Sequence, residues 1–170
     1  QDQALKLADK VIVMNRGQIE QIGTPNEVYY EPSTAFVGRF VGDSNALSGS
    51  LLDVGEDQLT VDTDMGSIVA TNMNDATEGD NGVLLIRPGA VKIGQAAAEC
   101  ENTYDVAPLG TSYMGEQTEI AFDVEGPDGE FYAIRPGKVA FEEYDKSVRI
   151  GFDPDAAQFF NKLSTTNTVS

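Results

Sequence analysis

The chain has 170 residues, a formal net charge of −17 and 41% hydrophobic residues, enough for one domain with a smaller attached part. Because phosphate groups and anionic lipids bind basic patches, this acidic balance predicts no nucleic acid partner and no binding to an anionic lipid surface. The single cysteine, Cys100, excludes an intramolecular disulfide, and the absence of histidine removes the commonest general base and metal ligand.

The charge is unevenly distributed along the chain. Residues 1–42 contain four Lys+Arg and five Asp+Glu, whereas residues 43–170 contain seven and twenty-three. Almost all of the negative charge therefore lies in the second part. This break predicts a first unit at residues 1–43, a second unit at residues 44–162 and a frayed tail at residues 163–170.

The first unit begins with the pattern of a β-hairpin. Residues 11–14 are a continuous apolar run, which predicts a strand buried on both faces. Residues 15–17 follow with the sequence Asn-Arg-Gly, in which Asn and Gly tolerate positive φ. Residues 18–22 then alternate polar and apolar side chains, as expected of a strand with one face in water.

Two short helices are predicted after the hairpin. Thr24 is suited to the N-cap, Pro25 to the first helical position and Glu27 to the reciprocal place of a capping box. These signals place a helix at residues 26–30, and a second helix is predicted over residues 35–41.

From residue 44 onward the sequence changes to short strands separated by turns. Strands are predicted over residues 46–54, 58–62, 67–71, 82–88, 103–106, 116–124, 130–134 and 147–152. Many short strands at this spacing predict a small β-barrel.

Three connecting segments complete the prediction for the second unit. Residues 107–112 are expected to lengthen a loop, and residues 126–129 (Gly-Pro-Asp-Gly) to form a hairpin turn. Asp153 and Asp155 are expected to start a short helical turn over residues 156–161, where carboxylates favour the helix N-terminus.

The first unit resembles a known family. The order of its segments is similar to the end of the nucleotide-binding domain of ABC importer ATPases. The segments that carry this resemblance are residues 1–9, the strand at 11–14, the turn at 15–17, the Gly-Thr-Pro at 23–25 and residues 31–45. The resemblance implies that the chain is a fragment, and that the family's phosphate-binding loop, signature motif, catalytic Glu and switch His lie upstream of Gln1.

The second unit resembles the transport-associated OB-like domain appended to such ATPases. Residues 85–88 (Leu-Ile-Arg-Pro), 113–118 and 150–156 carry this match. The expected fold class is therefore mainly β. It consists of a small OB-like barrel of short antiparallel strands, preceded by a β-hairpin and two short helices left from an α/β ATPase domain.

The resemblance implies the C-terminal regulatory part of the ATP-hydrolysing subunit of an ABC importer. Residues 40–47 look most like the spermidine/putrescine type, with iron and sugar importers close behind. The implied partners are a second copy of the chain, membrane permease subunits and a small-molecule regulator. The implied location is the inner face of the cell membrane, on the cytoplasmic side, through the parent complex.

No catalytic residue or cofactor site is predicted within the chain. The phosphate-binding pattern GxxxxGK[ST] is absent, and the residue five positions before Gly137-Lys138 is Tyr132 instead of glycine. The chain alone should therefore be inactive. By the resemblance, ATP and Mg would bind the parent protein.

Three residues are candidates for contact with a ligand or partner. Arg87 is a cation that can bind a carboxylate or phosphate, although an ion pair with a nearby acidic side chain is the alternative. Asn45 and Glu116 lie in the segments that carry the family resemblance.

Two other functions compete with the regulatory one. The barrel could be a stand-alone OB-like module that binds a small ligand, although residues 1–45 argue against that because such a module has no need of an ATPase segment. It could also be a purely structural dimerisation domain.

Overall fold

A computed structural model describes residues 7–72, 76–124, 130–139 and 147–161. The first unit contains β1 (Val11–Asn15), β2 (Gln18–Gly23), α1 (Pro25–Tyr30) and α2 (Ala35–Phe40). The later strands are β3 (Asn45–Val54), β4 (Gln58–Thr63), β5 (Gly66–Thr71), β6 (Asn81–Ile86), β7 (Lys92–Ile93), β8 (Asn102–Tyr113), β9 (Gln117–Asp123), β10 (Glu130–Pro136), β11 (Val148–Phe152) and β12 (Ala157–Asn161). Short 3₁₀ turns lie at Pro88–Ala90, Gly94–Glu99 and Pro154–Ala156. The mainly β fold class is confirmed.

The β1–β2 hairpin forms as predicted, with two differences. Arg16 (φ 48°) and Gly17 (φ 82°) occupy the positive-φ positions of the tight turn, so Arg16 takes the place expected for Asn15. Burial on both faces of β1 is wrong, because Val13 is buried whereas Ile12 and Met14 are each 55% exposed. Among the described residues, only one face of the hairpin is covered.

The capping box of α1 is confirmed. The Glu27 N–H donates to Thr24 Oγ1 at 3.3 Å, and the Thr24 N–H donates to Glu27 Oε2 at 2.7 Å. Satisfying these two donors fixes the start of α1 at Pro25 and is worth about 1 kcal/mol. The apolar side of α1, Val28, then packs with Val13 and with Val37 of α2 in a small cluster.

The predicted barrel is present and closed, with strand order β12-β5-β4-β3-β6. The predicted helix at residues 156–161 is wrong. Only Pro154–Ala156 forms a 3₁₀ turn, and the chain then continues as β12. This strand pairs antiparallel with β6 from Ala157↔Ile86 to Asn161↔Gly82, and it touches β5 through Gln158↔Thr71. Long-range pairing that closes the barrel overrides the local helical signal.

A second five-stranded sheet packs beside the barrel, with strand order β10-β9-β8-β11-β7. The loop predicted at residues 107–112 is wrong, because β8 is a strand of 12 residues that includes them. Its register with β9 shifts between Pro108 and Gly110, a bulge that lets the strand pass a proline and a glycine.

The barrel and the second sheet are two copies of one topology. β3, β4, β5 and β6 occupy the positions that β8, β9, β10 and β11 occupy in the second sheet. In the first half, β6 leads through the 3₁₀ turn at Pro88–Ala90 into β7, which pairs with β11 of the second half. In the second half, β11 leads through the 3₁₀ turn at Pro154–Ala156 into β12, which pairs with β6 of the first half. The two halves therefore exchange their fifth strands.

Buried asparagine side chains join the two halves in matching positions. Asn102 begins β8, and its amide donates to Val69 O and accepts from Val69 N–H, both at 2.8 Å, on β5. Asn45 begins β3 and makes the corresponding pair of bonds to Tyr132 on β10, at 2.8 and 2.7 Å. The two side chains thus satisfy the backbone N–H and C=O groups of Val69 and Tyr132 at the seam.

One hydrophobic core runs through both halves. It includes Leu84 and Ile68 of the barrel together with Phe122 and Phe131 of the second sheet, all fully buried. Tyr104 adds a polar link, since its ring stacks on Phe152 with centroids 6.1 Å apart and its hydroxyl donates to Ser67 O at 2.6 Å.

The remaining parts of the prediction fall outside the described residues. These are the hairpin turn at 126–129, the tail at 163–170 and the first residues of the chain. Within the part of the chain that the structure describes, no helix is both long enough and apolar enough to cross a membrane.

We expect Gly82→Ala to destabilise the fold by about 1–3 kcal/mol, because overpacking forces backbone shifts. A Cβ at Gly82 would lie 2.1 Å from Phe160 O of β12, so the strand pair that closes the barrel would have to separate. The matched control is Gly89→Ala, whose Cβ would meet no atom within 4 Å. Urea unfolding of the two variants measures the difference, and equal losses would contradict this account.

The stability should also depend on pH through Tyr104. Burial raises the pKa of Tyr104 to about 12 from an ordinary value of 10.0. The neutral phenol is favoured in the fold, so its contribution is complete below pH 10 and is lost as the pH rises towards 12. Unfolding free energies measured from pH 9 upward should fall less steeply for Tyr104→Phe than for wild type. Tyr113→Phe, at an exposed site, should retain the wild-type slope.

Candidate functional site

The best-defined polar site in the structure surrounds Arg87, where β6 ends against the first unit. Its Nη1 donates to the carbonyl oxygens of Gly38 and Gly42, both at 2.8 Å, and to Ser44 Oγ at 2.7 Å. The Asp43 carbonyl lies at 3.3 Å from Nη1, and Nη2 donates to Tyr29 O at 3.2 Å. These partners are carbonyl and hydroxyl oxygens, and among the described residues Arg87 forms no ion pair of the kind expected as the alternative.

The position of these oxygens explains why a guanidinium is needed. Tyr29 O belongs to the last turn of α1, and Gly38 O belongs to the last turn of α2. Carbonyls at helix C-termini have no partner within the helix and carry the negative end of the helix dipole. One planar cation with several donors satisfies both helix ends and the linker that follows them.

The ring of Tyr29 and partial burial complete the environment of Arg87. The guanidinium carbon lies 4.5 Å from the centroid of the Tyr29 ring, a cation–π contact. Burial lowers the pKa of Arg87, and the nearby Tyr29 and Asp43 oppose this shift. A guanidinium nevertheless stays charged at physiological pH, so the site holds a permanent positive charge.

Two glycines allow this close approach. A Cβ at Gly42 would lie 3.0 Å from the Tyr29 ring and 3.2 Å from Arg87 Nη1. A Cβ at Gly38 would lie 2.8 Å from the side chain of Leu85, on the barrel strand beneath α2. A side chain at either position would require these neighbouring side chains to shift.

Further contacts reinforce the same junction. Gln158 of β12 donates from Nε2 to Tyr30 O at 2.7 Å, which satisfies another carbonyl at the end of α1. Ala35 of α2 packs with Leu85 and Phe160 of the barrel in a small apolar cluster. The first unit and the barrel are thus joined by both polar and apolar contacts.

An open cavity of about 550 Å³ lies beside Arg87. Its walls come from α1, the linker after α2, the barrel and the second sheet. Its lining residues are Tyr29, Tyr30, Val41, Gly42, Asp43, Leu85, Arg87, Pro88, Gly89, Ala90, Gln117, Ile134, Asp155, Ala156 and Gln158. Cavities of this size hold small organic ligands in other proteins.

The structure does not bring the three predicted residues together. Arg87 lines the cavity. Asn45 is 3% exposed, and its side chain is hydrogen-bonded to Tyr132 at the seam between the halves. Glu116 is exposed in the turn between β8 and β9, where its carbonyl accepts from the Gly137 N–H at 2.8 Å. Contact of these residues with a ligand stays a prediction.

Sequence reasoning missed the other polar residues of the cavity. The sequence predicts only that Asp155 starts a helical turn and that Tyr29 and Tyr30 end the helix at residues 26–30, and it gives Asp43 no role of its own. No local pattern links them, because the cavity exists only once β12 has closed the barrel. Among the described residues there is no group of three or more His, Cys, Asp and Glu side chains placed to hold a metal ion.

We expect Arg87→Ala to destabilise the chain by about 2–4 kcal/mol, because buried carbonyls at two helix ends lose their donor. Arg87→Lys should recover only part of this loss, since one ammonium cannot span both helix ends. Arg149→Ala is the control, because Arg149 pairs with Asp105 on the exposed surface and its loss should destabilise the chain much less. Urea unfolding tests this, and a loss for Arg87→Ala as small as for the control would exclude a structural role for Arg87.

Known proteins place this geometry in context. No family model matches the chain. The spermidine/putrescine import ATP-binding protein PotA of Nitrosomonas eutropha is 30% identical over 94% of this chain and 46% of its own length. The sulfate/thiosulfate import ATP-binding protein CysA of Mannheimia succiniciproducens is 39% identical over 96% of this chain and 45% of its own length. The chain thus spans about half the length of the curated relatives it matches.

The fold has a counterpart among solved structures. The cytoplasmic molybdate-binding protein ModG, solved with molybdate bound, aligns with a TM-score of 0.50 at 12% identity, over 68% of this chain and 94% of that chain. This likeness concerns the fold alone, and it identifies the two-half β structure as OB-like. The relatives show that the chain corresponds, over 94–96% of its length, to the C-terminal portion of ABC importer ATP-binding subunits, and the likeness to ModG shows an OB-like fold.

Proposed function

We propose that this chain is the C-terminal regulatory part of the ATP-hydrolysing subunit of an ABC importer of the spermidine/putrescine type. The relatives support the importer class, since both PotA and CysA are named as import ATP-binding proteins. The importer activity belongs to the whole parent protein, of which this chain would supply the regulatory end.

The single observation that carries the regulatory role is the junction held by Arg87. Its guanidinium binds oxygens of α1, of α2 and of the linker while its own backbone belongs to the barrel end of β6. A segment of ATPase type is therefore joined to the OB-like domain by several hydrogen bonds. Movement of one would be passed directly to the other, as regulation of an ATPase by an appended domain requires.

The exposed face of the β1–β2 hairpin supports a larger parent protein. Ile12 pairs with Ile22 and Met14 pairs with Ile19 across the two strands. All four side chains are about half exposed, on the face opposite Val13. Contiguous apolar surface of this kind usually marks an interface, and the remaining ATPase domain of the parent would cover it.

ATP and Mg would bind that parent domain and not this chain. The chain has no glycine-rich phosphate loop, so its residues do not fit the nucleotide. The role of the chain's own residues is to hold the regulatory domain against the ATPase end. Through the parent complex, the protein would sit at the cytoplasmic face of the membrane beside its permease subunits.

A second copy of the chain is the other proposed partner. Two chains of charge −17 repel one another, so any contact between them should use uncharged surface. Residues 106–115 contain no charged side chain, and within them Leu109, Tyr113 and Met114 are more than half exposed. This segment of β8 and its turn is the best candidate for the contact.

The polyamine assignment rests on charge and similarity together. The relatives include importers named for a polycation and for an anion, so similarity alone leaves two cargo classes. A domain that carries nearly all of the negative charge is better suited to respond to a polycation than to sulfate.

A second candidate function is a stand-alone module that binds a small ligand. The likeness to ModG, which covers 94% of that chain, favours it. The close packing of α1 and α2 on the barrel through Arg87 and Gln158 argues against it, because a stand-alone module has no need of that segment.

A chimeric importer subunit tests the proposal. This chain would replace the C-terminal half of a PotA relative, and the chimera would be expressed in cells lacking their own polyamine ATPase subunit. We expect spermidine uptake to recover, because the ATPase half is intact and the regulatory half is of the same family. Uptake of radiolabelled spermidine measures the result.

The matching chimera with a CysA relative, assayed for sulfate uptake, serves as the comparison. Recovery of sulfate but not spermidine uptake would overturn the polyamine assignment while keeping the importer class. Recovery of neither, with both chimeras present at normal levels, would overturn the importer function.

A further inference from the structure

We propose that the second sheet makes this fold depend on salt, because its outer face places carboxylates opposite one another where dissolved ions must screen them. The protein would then reach full stability only in concentrated salt. This inference goes beyond the regulatory function above, since it concerns the solution in which the chain folds and not what the parent protein transports.

The outer face of the second sheet is defined by the alternation of β9 and β10. Ile120 and Phe122 of β9 and Phe131 of β10 are fully buried, so the residues between them lie on the opposite, solvent-facing side. The polar residues of this outer face are Glu119, Asp123, Glu130 and Tyr132. Three of the four are acidic.

Two of these carboxylates face each other directly. Glu130 pairs with Asp123 across the antiparallel β9–β10 ladder, and both residues are exposed. Residues in such positions have Cα atoms about 4.5–5.5 Å apart, and like charges placed there destabilise a sheet. The β9–β10 pair therefore forms despite repulsion between its own side chains.

Within the described part of the chain, no cation forms an ion pair with the facing carboxylates. The ion pairs found there are those of Arg149 with Asp105 and of Lys92 with Asp153. Arg149 lies on the same side of the molecule, on β11, but it donates to both carboxylate oxygens of Asp105 at 3.0 Å and is fully engaged. Screening of the facing pair is thus left to dissolved ions.

Tyr132 lies in the same negative field. Its hydroxyl donates to Glu130, and this hydrogen bond raises the pKa of Tyr132, with burial and the charges of Glu130 and Glu119 adding to the shift. Neighbouring carboxylates have this effect because they oppose a further negative charge. Glu119 and Glu130 therefore act together on this face, although they belong to different strands.

The spacing of these charges decides how much salt is needed. The Debye length is about 10 Å near 0.1 M salt and about 3 Å near 1 M salt. In dilute salt it exceeds the separation of about 5 Å between facing residues, so their repulsion is felt almost in full. Only in molar salt does the screening length fall below that separation.

The charge of the whole second unit acts in the same direction. Residues 43–170 contain 23 Asp+Glu and seven Lys+Arg. Unfolding moves these charges apart, so repulsion between them favours the unfolded chain until salt screens it. The facing pair on the second sheet is the point at which this repulsion acts over the shortest backbone distance.

Urea unfolding in dilute and concentrated KCl tests the proposal. We expect the unfolding midpoint of this chain to rise by about 1 M urea or more between about 0.1 M and about 2 M KCl. The double variant Asp123→Asn with Glu130→Gln should have a higher midpoint than wild type in dilute salt and should gain less from KCl. The amide that replaces the Glu130 carboxylate keeps an acceptor for the Tyr132 hydroxyl.

The matched control is Asp9→Asn with Glu31→Gln, two exposed carboxylates of the first unit, where acidic and basic residues are nearly balanced. It loses the same two charges and should keep the wild-type gain in KCl. Equal changes in both double variants would reduce the effect to net charge and overturn the role of the second sheet. A wild-type midpoint that does not move with KCl would overturn the proposal altogether.

A second control separates screening from the effect of solutes on apolar burial. Sucrose strengthens burial because it is excluded from the protein surface, but it screens no charge. It should therefore raise the midpoints of wild type and of the Asp123 and Glu130 double variant equally. If that variant also retains the full gain in KCl, the gain does not come from screening of the facing pair and the proposal is wrong.

Failure of this proposal and failure of the importer function give different results. If the midpoint does not respond to KCl but a chimera transports, the salt proposal is wrong and the importer function stands. If KCl stabilises the chain through Asp123 and Glu130, but chimeras present at normal levels transport neither cargo, the salt proposal stands and the importer function falls.

Discussion

The junction between the first unit and the barrel depends on one guanidinium, that of Arg87, and on the carbonyl oxygens around it. Helices as short as α1 and α2 expose most of their C-terminal carbonyls, and they have little stability of their own. Arg87 neutralises both helix ends together, and its stacking on Tyr29 keeps the plane of the guanidinium aimed at them. Gly42 leaves room for that cation, because a Cβ there would lie 3.2 Å from Arg87 Nη1. With the Gln158 bond and the apolar cluster around Ala35, this contact positions the helices and the linker on the barrel.

The exchange of fifth strands is the second constraint, and it sets the shape of the OB-like domain. Because β7 and β12 each complete the sheet of the other half, the halves share strands as well as a core. The matching bonds of Asn45 and Asn102 satisfy backbone groups where the sheets meet. A polar side chain buried at each seam gives the two halves a fixed register, which hydrophobic packing alone would leave less well defined.

Elements that depend on neighbouring residues could be predicted from the sequence, whereas elements that depend on distant strands could not. The capping box at Thr24 and Glu27, the strands β4 and β5 and the turn at Gly17 depend on neighbouring residues, so their patterns could be recognised. The helix expected at residues 156–161 became β12 because its partner, β6, lies far earlier in the chain. The cavity could not be predicted for the same reason, since its lining residues come from six separate stretches of the chain. Arg87 was identified as important, but its partners are backbone oxygens, which a sequence cannot display.

The exchange of strands also governs the order in which the molecule can form. β12 is made last among the described strands, yet it closes the barrel whose other strands are made first. During synthesis, β5 and β6 must therefore wait with one unpaired edge each until β12 has been made. Open edges of this kind can pair with other chains. The acidic surface, by keeping neighbouring nascent chains apart, would protect the barrel during that interval.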